Sequence, residues 1–160
     1  MTSLVIRAAE PADMPALSEV YRRSSLSNDG DRPGLLARPE FLEFSDLAVR
    51  EGRTRVAVAG DRVAGFATWL AAADIVEVED LFVDPDWMRQ GIGTALVLDL
   101  IEIAHDAGAR RAEVTGNQHA LAFYQSVGFT VDHEVATLLG SGLRMHLDLT
   151  PRPGRPEWPS

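Results

Sequence analysis

A glycine-rich run, Arg89-Gln90-Gly91-Ile92-Gly93-Thr94, lies between an apolar stretch and a long amphipathic one. Glycines let backbone N–H groups approach a phosphate closely, and a helix that starts there adds unpaired donors and the positive end of its dipole. Two well-known phosphate seats do not fit. A P-loop needs G-x-x-x-x-G-K-[ST], and no Gly-Lys-Ser/Thr occurs; the dinucleotide fingerprint needs a third small residue where Leu96 stands. Just upstream, Glu77 and Glu79 alternate along the apolar stretch, so a strand puts both carboxylates on one face unless a bulge intervenes. Glu113 is a third carboxylate candidate. His105, His119, His133 and His146 show neither HExxH nor i,i+4 spacing, which gives a helix-borne zinc site no support. Gly140-Ser141-Gly142 has the wrong spacing for a nucleophile elbow.

The elements that must position these residues follow from periodicity. Ile75 to Val83 is β-branched and apolar and reads as a buried strand, stopped by Asp84-Pro85-Asp86. After the glycines, Ile92, Leu96, Leu100, Ile103 and Ala104, widened by Val97 and Ile101, mark one helix face; Thr94, Asp99, Glu102 and Asp106 mark the polar one. Gly108 stops that helix. Upstream, Leu4 to Ala8 is a short strand, and Asp13 is the expected N-cap of a helix through Met14, Leu17, Val20 and Tyr21 that ends near Arg22 to Ser24. Ser24 to Gly34 reads as a flexible loop. Leu35 to Val49 reads as a broken second helix, with Phe41, Leu42, Phe44 and Leu47 facing inward. Thr54 to Ala59 and Val63 to Ala71 are strands of a hairpin turning at Gly60-Asp61-Arg62. Arg111 to Thr115 is a fifth strand. Two last strands, Phe129 to Leu138 and Leu143 to Leu149, are joined around Gly140-Ser141-Gly142.

The length suits one domain, assigned to residues 1–150, with 151–160 a proline-rich flexible tail. There is no cysteine, which excludes disulfides and thiolate metal sites and suits a reducing compartment. No secretion signal or bilayer-length apolar run is visible, so a cytoplasmic protein is expected. The net charge of −9 disfavours nucleic-acid and membrane partners and tolerates cationic amines.

The strand ending Leu81-Phe82-Val83-Asp84-Pro85, followed by Gly91-Ile92-Gly93, resembles motif A of the GCN5-related N-acetyltransferases, the GNAT family. One position departs, with Met88 where the family usually has Gln or Arg. A second signature, N-x-x-A-x-x-(F/L)-Y-x-x-x-G-F, is matched in order by Asn117, Ala120, Phe123, Tyr124, Gly128 and Phe129. The resemblance implies an α/β (mixed α+β) fold with a central, mostly antiparallel mixed sheet of six to seven strands. About four helices would flank the sheet, and it would splay between strands four and five.

The resemblance also implies a chemistry, acetyl transfer from acetyl-CoA to a primary amine by direct attack, with no metal. Arg89, Gln90, Gly91, Ile92, Gly93 and Thr94 would hold the pyrophosphate. Leu81, Phe82 and Val83 would meet the pantetheine arm through their backbone, with a bulge near Phe82–Val83 turning an N–H toward the thioester carbonyl. Asn117 and Phe123 complete the implied cofactor set. Tyr124 would protonate the departing thiolate, since a phenol near ~10 can protonate a thiol near ~8.5. Glu79 is the first candidate base and Glu77 the second. Glu79-Asp80-Leu81-Phe82-Val83 is similar to the E-D-x-F-V run of diamine acetyltransferases. Tyr21, Asn28, Asp29 and Asp31 are candidate acceptor contacts. The implied acceptor is a polyamine-like or other cationic small amine. A protein or peptide amino group, or a catalytically silent CoA-binding sensor, are the alternatives. Pairing as a homodimer is an open expectation.

Overall fold

Each apolar alternation of the sequence becomes a strand in the computed structural model, which describes residues 3–27, 32–137 and 140–150. The strands are β1 (Leu4–Ala8), β2 (Thr54–Ala59), β3 (Arg62–Ala72), β4 (Ile75–Val83), β5 (Arg111–Gly116), β6 (Thr130–Thr137) and β7 (Gly140–Asp148). The helices are α1 (Met14–Leu26), α2 (Arg32–Ala37), α3 (Leu47–Arg50), α4 (Ile92–Ala107) and α5 (Leu121–Val127). The seven strands run in the order β1-β2-β3-β4-β5-β7-β6. β4 and β5 are parallel, as the intervening α4 crossover requires, whereas β1–β2, β2–β3, β5–β7 and β6–β7 are antiparallel. Only Ile75–Val78 of β4 are in register with β5, from Ile75↔Arg111 to Val78↔Val114. The mixed, mostly antiparallel sheet that the sequence implied is therefore present. Among the described residues no helix is long and apolar enough to cross a membrane.

Contacts divide the chain into two units, Met1–Thr68 with Asp80–Leu96, and Trp69–Glu79 with Val97–Ser160. In the first, α1 lays Leu17 and Val20 onto Val49, Val56 and Phe66, flanked by Tyr21, Phe44 and Phe82. Fully burying a side chain such as Phe66 contributes about 1.5–3 kcal/mol. In the second, Val76, Ala104, Ala109 and Leu149 form the centre, with Trp69, Ile101 and Leu147 packed around it. Gly108 ends α4 in the left-handed region at φ 79, and Ala109 N–H closes back on the Ala104 carbonyl at 3.0 Å.

Several local expectations change. α1 continues to Leu26, because Ser24 and Ser25 are accommodated in its last turn. Asp13 takes the N-cap position of α1 but does not cap it with its side chain. Its carboxylate accepts from Arg7 at 2.9 and 3.0 Å and from Glu10 N–H at 2.7 Å, a stronger, charge-assisted alternative. The broken second helix becomes α2, a 3-10 turn at Pro39–Leu42, and α3. Leu47 is exposed there, since Ala48 and Val49 take the inward positions. Gly140-Ser141-Gly142 opens β7 instead of joining two strands. Gly142 is needed in that strand because a Cβ would stand 2.8 Å from Thr137 Cγ2 and 3.3 Å from the Gly116 carbonyl. The tail, 151–160, lies outside the described residues.

Candidate active site

In the first unit, β4 stops at Asp84, a carboxylate that is almost fully buried. Its N–H donates to the Ala64 carbonyl at 2.8 Å, while its oxygens accept from Asp86 N–H at 2.9 Å and from Arg23 Nη1 at 2.9 Å. The second Nη of Arg23 reaches Asp86 at 3.2 Å. The bond to Asp86, then the charge of Asp84, holds the Arg23 guanidinium above its ordinary range. A buried carboxylate persists only when so paired. The last turns of α1 are thereby tied to the entrance of the glycine-rich loop.

That loop turns through two left-handed residues, Arg89 at φ 62 and Gly91 at φ 79. A non-glycine residue in that region is uncommon and costs energy, so it marks a conformation fixed by its surroundings. Such turns bring successive N–H groups to one side of the backbone. A Cβ on Gly91 would meet nothing within 4 Å, so there is room beside the chain. The first bond of α4 runs from Ala95 N–H to the Gly91 carbonyl at 3.0 Å. The N–H groups of Ile92, Gly93 and Thr94 therefore have no carbonyl one turn earlier within the helix. Ile92 is buried, whereas Arg89, Gln90 and Thr94 are exposed.

Leu81, Phe82 and Val83 are half-buried. The Phe82 ring meets Tyr21 edge-on at 4.9 Å and Phe66 at 5.6 Å, so its side chain belongs to the core. The Phe82 carbonyl lies 2.8 Å from where a Cβ on Gly65 would stand, which requires glycine on β3. Tyr21 also touches Phe44, at 5.5 Å between ring centres. Burial and then the charge of Asp80 push the Tyr21 phenol up, keeping it neutral. Asp80 accepts from the buried Thr68 hydroxyl at 2.5 Å. Tyr21 and Asp80 thus give this unit an aromatic and anionic surface. Asp80 escaped the sequence reading as a site residue; the signal was an Asp inside an apolar strand. Asn28, Asp29 and Asp31 lie outside the described residues.

In the second unit, Glu77 and Glu113 stand in register across β4 and β5. Arg144 of β7 joins them. Its Nη1 and Nη2 donate to the two Glu77 oxygens at 2.6 and 2.7 Å, and Nη2 also donates to Glu113 Oε1 at 2.9 Å. Nη1 reaches Thr115 Oγ1 at 3.1 Å. The Glu77 bond is the largest cause of a raised Arg144 pKa, opposed by burial. Glu79 is exposed. Asn117 Oδ1 accepts from Ala120 N–H at 2.9 Å and caps the turn into α5, leaving its amide NH2 as the donor end. Tyr124 is buried, edge-on to Phe123 at 5.1 Å and Phe129 at 5.4 Å. A Cβ on Gly116 would stand 3.3 Å from Tyr124 Cε2, so the ring fits because β5 is bare there.

The sequence profile of the Acetyltransferase (GNAT) family matches residues 15–129, a range that includes the glycine-rich loop, Glu77, Glu79 and Tyr124. The chain belongs to the GNAT family. An uncharacterized N-acetyltransferase, YvbK of Bacillus subtilis, is 36% identical over 107 residues, covering 62% of this chain and 68% of that protein. The [ribosomal protein bS18]-alanine N-acetyltransferase of Escherichia coli is 29% identical over 136 residues, covering 78% of this chain and 79% of that enzyme. The crystal structure of PaiA N-acetyltransferase from Thermoplasma acidophilum in complex with coenzyme A superposes with a TM-score of 0.76 at 20% identity. It covers 92% of this chain and 99% of the other, a likeness of fold.

As a GNAT protein, this chain is an acetyl-CoA-dependent acetyltransferase. Its loop fits the cosubstrate on its own geometry. Backbone donors of a sixteen-residue helix start, two left-handed turns and open space at Gly91 suit a diphosphate, and no basic side chain is required. Among the described residues no grouping of His, Asp and Glu is arranged to hold a metal ion.

Proposed function

We propose that this GNAT enzyme acetylates the primary amine of a small cationic molecule by direct attack on acetyl-CoA. The left-handed pair Arg89 and Gly91, leading into the open helix start of α4, carries the reading, because it suits a diphosphate through backbone alone. In this reading Arg89–Thr94 hold the pyrophosphate. The backbone of Leu81–Val83 aligns the pantetheine, and Asn117 and Phe123 complete its surroundings. Glu79 takes the proton of the acceptor ammonium, with Glu77 as the alternative base. The freed nitrogen pair forms the C–N bond as the C–S bond breaks, and Tyr124 protonates the thiolate. The aromatic and anionic surface of Tyr21 and Asp80 supports a cationic acceptor, since ring faces and a carboxylate both favour ammonium groups. The net charge of −9 adds to that attraction.

Isothermal calorimetry with CoA, followed by thiol release from acetyl-CoA across a panel of mono-, di- and polyamines, tests this. No CoA binding removes the reading, and CoA binding without turnover on any amine replaces it with a CoA sensor. A peptide α-amino group is the second acceptor reading, favoured by the relative that acts on ribosomal protein bS18 alanine. Alanine-terminated peptides in the same panel separate the two. We place the enzyme in the cytoplasm and propose a homodimer, which analytical ultracentrifugation checks.

A further inference from the structure

The turn that leads into the proposed diphosphate seat is acidic, although a diphosphate is itself an anion. Asp84 and Asp86 flank Pro85, and Asp86 stands three residues before Arg89. Three residues of chain span at most about 11 Å, close to the ~8–10 Å over which salt screens exposed charge. Carboxylates so placed repel an incoming anion, and a buried one is screened least.

The geometry of the turn depends on Asp84. Its Oδ1 accepts from Asp86 N–H at 2.9 Å, and its carbonyl accepts from Trp87 N–H at 2.8 Å, which closes the 3-10 turn Pro85–Trp87. Its side chain keeps only 5% of its surface exposed. The turn therefore carries a buried negative charge into the neighbourhood of the loop. Arg23 answers that charge. Leu17 and Val20 seat α1 in the core, and Arg23 follows one turn after Val20. Its Nη1 donates to Asp84 Oδ2 at 2.9 Å, and its Nη2 reaches Asp86 Oδ2 at 3.2 Å, so one guanidinium spans both carboxylates. Arg62 of β3 stands 3.9 Å from Asp86. These four side chains sum to zero charge.

We propose that Arg23 is a positioning residue for cosubstrate binding: by bridging Asp84 and Asp86 it holds the turn that precedes Arg89 and cancels the negative charge that the turn would otherwise present to the diphosphate. The proposal rests on the reading of Arg89–Thr94 as the diphosphate seat. It adds a residue 61 positions from Asp84, on another element, that acts through the two carboxylates. Without Arg23 the group of four carries one net negative charge, and CoA binding weakens. Without the Asp86 charge it carries one positive charge, and CoA binding tightens. Both effects act on the diphosphate, so a thioester that lacks one is indifferent to them.

The test is calorimetry with CoA at low and high ionic strength, joined to kinetics with acetyl-CoA and with S-acetylpantetheine, which carries the same thioester without a diphosphate. Arg23→Gln should weaken CoA roughly three- to tenfold at low salt, raise KM for acetyl-CoA with kcat held, and leave kcat/KM for S-acetylpantetheine within about twofold of wild type. The loss should shrink at about 1 M salt, where screening acts within ~3 Å. The double variant R23Q/D84N returns the sum to zero and keeps an amide oxygen for Asp86 N–H, so it should recover CoA affinity. If Arg23→Gln does not fold, Asp86→Asn, at an exposed position, carries the test through its opposite sign, tighter CoA binding at low salt. Wild-type affinity in Arg23→Gln, equal losses with both thioesters, a double variant as weak as the single one, or no tightening in Asp86→Asn overturns the proposal while the diphosphate seat stands. A wild-type chain that does not bind CoA defeats the seat itself, and the role of Arg23 falls with it.

Discussion

Alanine substitution at two glycines should give opposite signs, because the space beside them differs. At Gly65 a methyl group would stand 2.8 Å from the Phe82 carbonyl, 3.2 Å from Ile92 Cγ2 and 3.3 Å from Leu96 Cδ1. The nearest of these is backbone, fixed in β4, so it cannot rotate away; β3 and β4 must part. Overpacking of this kind costs about 1–3 kcal/mol. The lost freedom of the unfolded chain returns about 0.4–1 kcal/mol, leaving Gly65→Ala destabilised by roughly 1–2 kcal/mol. For a chain of this size each kcal/mol lowers Tm by about 2–4 °C. At Gly34, in exposed α2, a methyl group would meet nothing within 4 Å. Helix propensity then dominates, and Gly34→Ala should stabilise by about 0.5–1 kcal/mol. Urea denaturation of the two variants measures both. The Gly65 substitution also displaces the carbonyl of a residue assigned to the pantetheine arm, so CoA affinity by calorimetry should fall in that variant and hold in Gly34→Ala. A Gly65→Ala midpoint at or above wild type would refute the reasoning, since it would mean that the close approach of Gly65 to Phe82 is not real.

Other substitutions follow from the same geometry. Tyr124→Phe should keep CoA affinity and lose on the order of 10²-fold in kcat, the lower range for a proton donor; unchanged turnover in thiol-release assays would remove its catalytic role. Gly91→Ala forces an L-residue to φ 79, a penalty of about 1–2 kcal/mol, and should weaken CoA about tenfold by calorimetry if the strain is relieved by moving the loop. Asp13 has its pKa lowered from 3.8, chiefly by the Arg7 bond and then by the backbone bond of Glu10, against burial. A lowered carboxylate stabilises the fold above its unfolded pKa and loses that contribution as pH falls through its native one. The stability gap between wild type and Asp13→Asn should therefore close as pH falls through and below the ordinary carboxylate range, as followed by thermal melts.

How far the sequence could be read depended on how local each cause was. β4 spans Ile75–Val83 as its β-branched run predicts, and α4 opens at Ile92, one residue after the left-handed Gly91, because strand, stop and helix start are all written in neighbouring residues. Asn117 illustrates the next level: the resemblance implies a cofactor contact, and in the fold its oxygen caps the turn into α5. Asp13 was misread because Arg7, across a turn, outcompetes the helix N–H groups for its carboxylate. Leu47 was misread because a four-residue helix has no full periodicity to follow, and Ala48 and Val49 face the core instead.

The partners of Glu77 lie beyond any local pattern. Glu77 sits 67 residues from Arg144, and Glu113 sits 31 residues from it. A hint did exist: in Leu143-Arg144-Met145-His146-Leu147 the apolar residues alternate with Arg144 and His146, so both polar side chains share one face of β7. Which carboxylates they meet depends on the register of β5 with β7 and of β4 with β5, and that register is fixed by the β4–α4–β5 crossover and by β7 pairing beside β5. Glu77 is thus tied into the fold by an arginine two strands away that bonds both of its oxygens.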